Sequence, residues 1–282
     1  MLWVADAGAT KTDWMGVESK EPLRTEGLNA EVEGWEAAQT KLYAAAEMLR
    51  GQGASIGEIH YYGPALHSEA ARSSIQVLLI KAFQLPPDRV FVYHDLLGAA
   101  RAAWGAHSGV VAILGTGSNC ALWEGQTIQK QAGGHGYLLG DEGSGADIGR
   151  CFLSALLHGE VPRDIETDFW RENPYPEASA PLELRRLAYR SQRPSAFFAK
   201  FSYFLHSWKA HPWVVALVKG RFAAFIQRTW AIWGVQRPIR YVGGVACAFS
   251  DVLREVTEAY GGRWEGVVSS VIHSLLRYHV QR

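Results

Sequence analysis

Asp6-Ala7-Gly8-Ala9-Thr10-Lys11-Thr12-Asp13-Trp14, entered from the apolar run Met1 to Ala5, decides how the rest of the chain is read. The pattern predicts a strand, a tight turn and a returning strand. Its turn combines a carboxylate, a glycine, two hydroxyls and an amine, and small side chains there leave backbone N–H groups open to an anion. A phosphate loop and an ordinary β-hairpin with a solvated polar turn both fit this stretch. Other stretches must decide between them.

The chain of 282 residues is 48% hydrophobic, 20% charged and of formal net charge +0. Such a length provides for one large or two ordinary globular domains with a sizeable core. Neutral balance, with no basic block or stripe, argues against a nucleic-acid partner. No apolar run reaches the roughly 18 residues of a membrane span, and Asp6 interrupts the first apolar stretch too early for a signal peptide. The expectation is a cytoplasmic protein without a membrane partner. Cys120, Cys151 and Cys247 are odd in number and widely spaced, which suits buried reduced thiols better than a zinc or iron–sulfur site. Several of the eleven Trp fall in the aromatic-rich stretch from Phe197 to Trp233 and are read as core packing.

Along the chain, extended and helical signals alternate as in a layered α/β protein. Glu36 to Arg50 places Leu42, Ala45, Ala46 and Leu49 at helical spacing before Gly51 and Gly53. Ile59 to Tyr62 reads as a strand, Ser68 to Phe83 as a helix, Val90 to Tyr93 as a strand ending at His94-Asp95, and Leu96 to Trp104 as a helix. A second series then repeats the opening design: Val110 to Leu114 is apolar, Gly115-Thr116-Gly117-Ser118 is a turn, and Asn119 to Trp123 returns. Asp147 to Trp233 is mostly helical, broken by a loop around Asn173-Pro174-Tyr175-Pro176. Ile239 to Val242 then leads into Gly243-Gly244, and a last helix is expected from about Val267 to Val280.

Two Gly/Thr hairpins, a strand-end Asp95, the loop Gly140-Asp141-Glu142-Gly143-Ser144-Gly145 and the turn at Gly243-Gly244 occur in this order. Together they resemble the nucleotide site of the actin-like ATPase superfamily, which lacks a Walker A sequence, as this chain does. More closely, the chain is similar over essentially its whole length to N-acetylglucosamine kinases and the related activator ATPases of acyl-CoA reductases and dehydratases. Asp6 to Thr12, Gly27-Leu28-Asn29, His94-Asp95 followed by Gly98-Ala99-Ala100, Gly115 to Ser118, Gly133 to Gly145 and Gly243-Gly244 carry the similarity. The long block from Gly133 is its most specific part.

The resemblance implies an α/β protein of two actin-like ATPase (ribonuclease H-like) domains flanking a nucleotide cleft, residues 1–105 and 106–266, with a C-terminal helix (267–282) joining the first. It implies an ATP-dependent sugar kinase, active on an amino sugar such as N-acetylglucosamine, using Mg²⁺ and working as a homodimer. Asp6 would hold the metal, usually through water, since Mg²⁺ keeps part of its hydration shell. Gly8, Thr10, Lys11 and Thr12, answered by Gly115, Thr116, Gly117 and Ser118, would cradle the phosphates, and Gly243 and Gly244 would receive the adenosine.

Asp95 would touch the sugar and accept the proton of its attacking hydroxyl. On residues alone it could equally cap the helix beginning at Leu96. Asn29, Gly134, His135, Asp141 and Glu142 would line the sugar pocket with planar polar groups, although Asp141-Glu142 also reads as a solvated turn. His135 stands where the N-acetylglucosamine kinases have Trp, which puts recognition of the acetyl group in question. Two other readings remain open: an acyl-CoA-reductase activator, whose cluster would need cysteines beyond Cys120, and a sugar-binding regulator without catalysis.

Overall fold

The computed structural model describes residues 1–173, 179–234 and 236–281. Pro174, Tyr175 and Pro176 of the expected loop lie outside the described residues. The chain divides into two compact units: Met1–Ser108 with Trp123–Ile128 and Val268 onward, and Gly109–Leu122 with Gln129–Val267.

In the first unit, β1 (Leu2–Ala7), β2 (Lys11–Gly16) and β3 (Leu23–Glu26) precede α1 (Ala30–Glu33) and α2 (Trp35–Gly51). Then come β4 (Glu58–Gly63), α3 (Glu69–Phe83), β5 (Val90–His94) and α4 (Asp95–Trp104). The sheet order is β3-β2-β1-β4-β5. β1 pairs antiparallel with β2 and parallel with β4, and β4 pairs parallel with β5. Strand alternation sorts the core. Trp3, Ala5, Trp14, Ile59 and Tyr61 join α2 and α3 residues such as Leu42, Leu49, Ile75 and Leu79 in one cluster. Val4, Met15 and Tyr62 face the other way.

The second unit repeats this plan. β6 (Ser108–Leu114), β7 (Ser118–Glu124) and β8 (Ile128–Gly133) are followed by α5 (Gly136–Leu139), α6 (Gly145–Leu157), α7 (Arg163–Glu172), α8 (Ala180–Arg190), α9 (Pro194–Ser207) and α10 (Pro212–Arg228). β9 (Pro238–Val242), α11 (Gly244–Ala248), α12 (Ser250–Ala259) and β10 (Arg263–Val268) complete it. Its sheet, β10-β9-β6-β7-β8, has the same topology as the first, read from the opposite edge. The repeated strand-turn-strand of the sequence is thus a repeated five-stranded mixed sheet, as an α/β protein of two actin-like units requires. Ile148, Phe152 and Leu156, at helical spacing on α6, meet Val110, Ala112 and Leu114 of β6 in the core, along with Phe201 of α9 and Phe222 of α10.

The C-terminal helix α13 covers Val271–Val280, shorter than expected. Val267 and Val268 belong to β10, because the β-branched pair follows the alternating Arg263–Gly266. Ile272, Leu275 and Leu276 pack on Val4, Met15 and Tyr62, the face of the first sheet opposite α2 and α3.

Gly220 is exposed within α10, and a methyl group there meets nothing within 4 Å. Glycine inside a helix costs about 0.8–1.0 kcal/mol relative to Ala. Gly220→Ala is therefore expected to raise the melting temperature by roughly 1–4 °C, readable by calorimetry.

Candidate active site

In the first unit the parallel strands β1, β4 and β5 end on one edge, the place where open α/β sheets present ligand-binding loops. Their register sets Asp6 level with Tyr62, and Gly63 level with His94. The β1–β2 turn closes through Gly8 N–H donating to Lys11 O at 2.8 Å. Gly27 N–H donates to Thr10 O at 3.1 Å and Leu28 N–H to Gly8 O at 3.1 Å, which docks the strand leading to Asn29 under the turn. A Cβ on Gly27 would lie 2.5 Å from Gly8 O, so only glycine fits there.

Lys11 and Thr12 do not both face outward. Thr12 is buried and its hydroxyl donates to Glu26 O at 3.1 Å, so its proton is used within the sheet. Lys11 is half-exposed and its amine sits 2.5 Å from Asp13, a buried carboxylate the sequence reading passed over. Asp13 also accepts from Arg24 Nε at 2.8 Å. Asn29 caps α1, its side chain accepting from Glu31 N–H at 3.2 Å.

Asp6 is partly buried and pairs across the hairpin with Asp13. Burial, with a smaller push from Asp13 that Lys11 opposes, raises its pKa to about 6. Desolvation and a like charge both disfavour the ionised form, and a divalent cation would relieve both, so the carboxylate suits Mg²⁺. Without metal the sign is adverse: the unfolded carboxyl ionises near pH 4 and the folded one near 6, so stability falls as pH rises between them. Asp6→Asn should raise the stability of the nucleotide-free protein at pH 8 by on the order of 1–3 kcal/mol and change little at pH 4. Thermal melts at the two pH values check this.

Asp95 opens α4, but it is not the cap. His94 occupies that position, and its Nδ1 accepts from Leu96 N–H at 3.2 Å. His94 Nε2 lies 3.2 Å from His67 Nε2; with Nδ1 accepting, the proton belongs on Nε2. Burial, then the neighbouring His67 and Arg72, push His94 down to about 4, so at neutral pH it is uncharged. Its Nδ1 contact of 3.1 Å with Asp95 Oδ1 is then not an ion pair. The helix start is thus secured by His94.

In the second unit the residues assigned to phosphate, adenosine and part of the sugar pocket come together. Gly145 and Ala146 N–H groups, at the start of α6, donate to Gly115 O at 2.8 Å and Thr116 O at 3.1 Å. Asp141 Oδ1 accepts from Ser118 N–H at 3.2 Å. A Cβ on Gly117 would stand 2.8 Å from Asp141 Oδ2. Asp141 is buried, its φ is 59°, and burial raises its pKa; this is no solvated turn. Glu142 pairs with Arg228.

Gly134 N–H donates to Ser118 O at 3.0 Å. His135 is exposed, and its side chain makes no capping bond to the short α5. Gly243, at φ 109°, lies against the stem of the phosphate turn, where a Cβ would meet Leu114 O at 2.4 Å.

Asp147 organises this block and was not singled out in the sequence. Its carboxylate accepts from Gly143 N–H at 3.0 Å, Arg221 Nε at 2.6 Å and Arg150 Nη2 at 3.0 Å. Its own N–H donates to the Ser144 hydroxyl that caps α6. The spacing Ser144-x-x-Asp147 is a helix-start signature that could have revealed it. Asn119 was likewise missed: a Cβ on Gly134 would stand 2.7 Å from its Nδ2.

No family model and no curated protein matches the chain. Among solved structures, a candidate N-acetylglucosamine kinase from Porphyromonas gingivalis is 32% identical, covers 100% of this chain and 99% of its own, and superposes with a TM-score of 0.89. The chain belongs to the N-acetylglucosamine kinase family of actin-like ATPases. A second candidate N-acetylglucosamine kinase, from Chromobacterium violaceum, is 19% identical over 98% of both chains with a TM-score of 0.70. A ROK-family glucokinase from Streptomyces griseus, in complex with glucose and AMPPNP, is 14% identical over 100% and 99% with a TM-score of 0.55. These two share the fold. Among the described residues no helix is long and apolar enough to cross a membrane.

Proposed function

We propose that this ATP-dependent sugar kinase phosphorylates a hydroxyl of an amino sugar, N-acetylglucosamine first among them. The full-length match to the Porphyromonas gingivalis protein carries the reading. In this mechanism the Gly8–Lys11 turn and the Gly115–Ser118 turn each offer backbone N–H groups to phosphate oxygens, and Gly243-Gly244 borders the adenosine. Asp6 would hold Mg²⁺, which neutralises phosphate charge. Asn29, Gly134, His135, Asp141 and Glu142 orient the sugar, and Asp95 accepts the hydroxyl proton as the oxygen attacks. Transfer through a loose transition state asks little more of the protein than alignment and charge neutralisation. The same reading takes the protein to be a cytoplasmic homodimer.

The activator reading is weakened by Cys120, which is fully buried in the second core with its thiol pushed well above the ordinary range by burial. A sugar-binding regulator would have no need of a proton acceptor, so the presence of Asp6, Asp95 and both hairpins speaks against it. A coupled ADP-release assay over amino sugars, with and without Mg²⁺, tests the proposal. Sugar-dependent release, greatest with N-acetylglucosamine, is expected; basal hydrolysis indifferent to every sugar would overturn it.

His135 provides a finer test. An indole buries the apolar face of a sugar and its acetyl methyl at roughly 25 cal/mol per Å², and a histidine covers less. His135→Trp is expected to lower the KM for N-acetylglucosamine severalfold and to widen its advantage over glucosamine. An unchanged ratio would remove His135 from the pocket.

A further inference from the structure

The first unit contains a cavity of about 570 Å³ between the α1–α2 segment and the loop from β4 into α3. That volume lies within the range of small-molecule sites. Its walls are mainly apolar: Leu28, Trp35, Tyr61, Leu66, Ala71 and Ile75. Trp35 keeps 46% of its surface exposed. Ala65, also in the lining, is held at φ 59°, a strained conformation for a residue with a side chain.

Two observations point to an occupant. Tyr61 is 1% exposed, and its hydroxyl has no hydrogen-bond partner among the described residues. An unmade hydrogen bond on a buried hydroxyl costs about 1–3 kcal/mol, and an acceptor on a ligand would satisfy it. The cavity also adjoins residues of the proposed sugar site: Leu28 and Ala30 flank Asn29, and His67 of the lining meets His94, the residue before Asp95.

The lining sets the ligand's charge. It includes the carboxylate of Glu31 and no Lys or Arg. The Tyr61 hydroxyl also feels the charges of Asp6 and Glu33, so a buried anion would be repelled with no Lys or Arg to offset it. Arg72, the nearby cation on α3, spends Nη1 on Leu66 O and His67 O, at 3.0 Å each.

We propose that this cavity is an accessory subsite for a neutral, largely apolar group carrying a hydrogen-bond acceptor, such as an aryl or acyl substituent on the acceptor sugar. The link to the sugar rests on the kinase reading above; the cavity and its ligand class do not.

Calorimetric titration of the whole protein tests this with three probes: 4-acetylphenyl N-acetyl-β-glucosaminide, whose ketone supplies the acceptor, free acetanilide, and benzoate as the anionic counterpart. The glycoside is expected to bind at least tenfold tighter than N-acetylglucosamine. Tyr61→Phe, which removes only the hydroxyl, should weaken it three- to tenfold. Ala71→Phe, which fills the cavity, should reduce its affinity to that of the unsubstituted sugar, with N-acetylglucosamine turnover within twofold of wild type.

Acetanilide binding with the same order among the three proteins would make the occupant a free ligand; binding of the glycoside alone would make it a sugar substituent. Equal affinities across the three proteins, or benzoate binding as tightly as acetanilide, would overturn the assignment, as would failure of both neutral probes to bind. If no sugar were phosphorylated while the probes still ranked as described, the kinase reading would fall and the cavity assignment would stand.

Discussion

Turnover of the Asp95→Asn protein is expected to fall by a factor on the order of 10²–10⁴, the usual contribution of a positioned general base, with the KM for ATP nearly unchanged. Asn keeps the shape of the side chain and loses the ability to take a proton from the sugar hydroxyl. The competing role, capping α4, belongs to His94, whose Nδ1 accepts from Leu96 N–H at 3.2 Å. A carboxylate in the first turn also gains about 0.3–1 kcal/mol from the positive end of the helix, which Asn forfeits. His94, held neutral by burial, loses no ion pair. The melting temperature should therefore move by only about 1–4 °C, while steady-state kinetics record the loss of turnover. Turnover like that of wild type would remove Asp95 from proton transfer, and a large drop in melting temperature would assign it to the helix.

Much of the fold was legible because its signals were local. The two strand-turn-strand segments, the helix from Glu36 to Arg50 and the run ending at His94-Asp95 all carry period and punctuation within a dozen residues. The edge strands β3 and β8 escaped notice because they bury little. Leu23–Glu26 alternates partly buried and exposed positions, and Ile128–Gly133 has no fully buried residue. β10 went unread, and its last two residues, Val267 and Val268, were given to the following helix because they suit either element.

At the site, sequence order named the loops but not their attachments. That Thr12 turns to Glu26 O and that Asp147 reaches Arg221 depend on residues 14 and 74 positions apart. Nothing in a local pattern encodes such contacts. His94 shows the same limit at short range: Asp was the better cap by propensity, yet the helix begins at Asp95, one residue earlier than read, which puts His94 at the cap.

Gly243→Ala is expected to destabilise the protein by about 2–4 kcal/mol, lowering the melting temperature by roughly 5–15 °C, and to raise the KM for ATP at least tenfold. Two separate demands meet at this residue. Its φ of 109° is one that side chains rarely adopt, and a Cβ would lie 2.4 Å from Leu114 O and 3.0 Å from Gly115 N. Those atoms form the stem of the Gly115–Ser118 turn, whose carbonyls accept the first N–H groups of α6. The strand end cannot recede without disturbing that docking, so damage should reach the phosphate turn as well as the overall stability. Gly261 separates the two demands: its φ is 76° but nothing lies within 4 Å of the added carbon. Gly261→Ala should lose only about 1–2 kcal/mol and leave the KM for ATP alone. Equal losses at the two glycines, with ATP binding intact in both, would show that backbone conformation alone demands glycine at 243 and would break its proposed tie to the nucleotide.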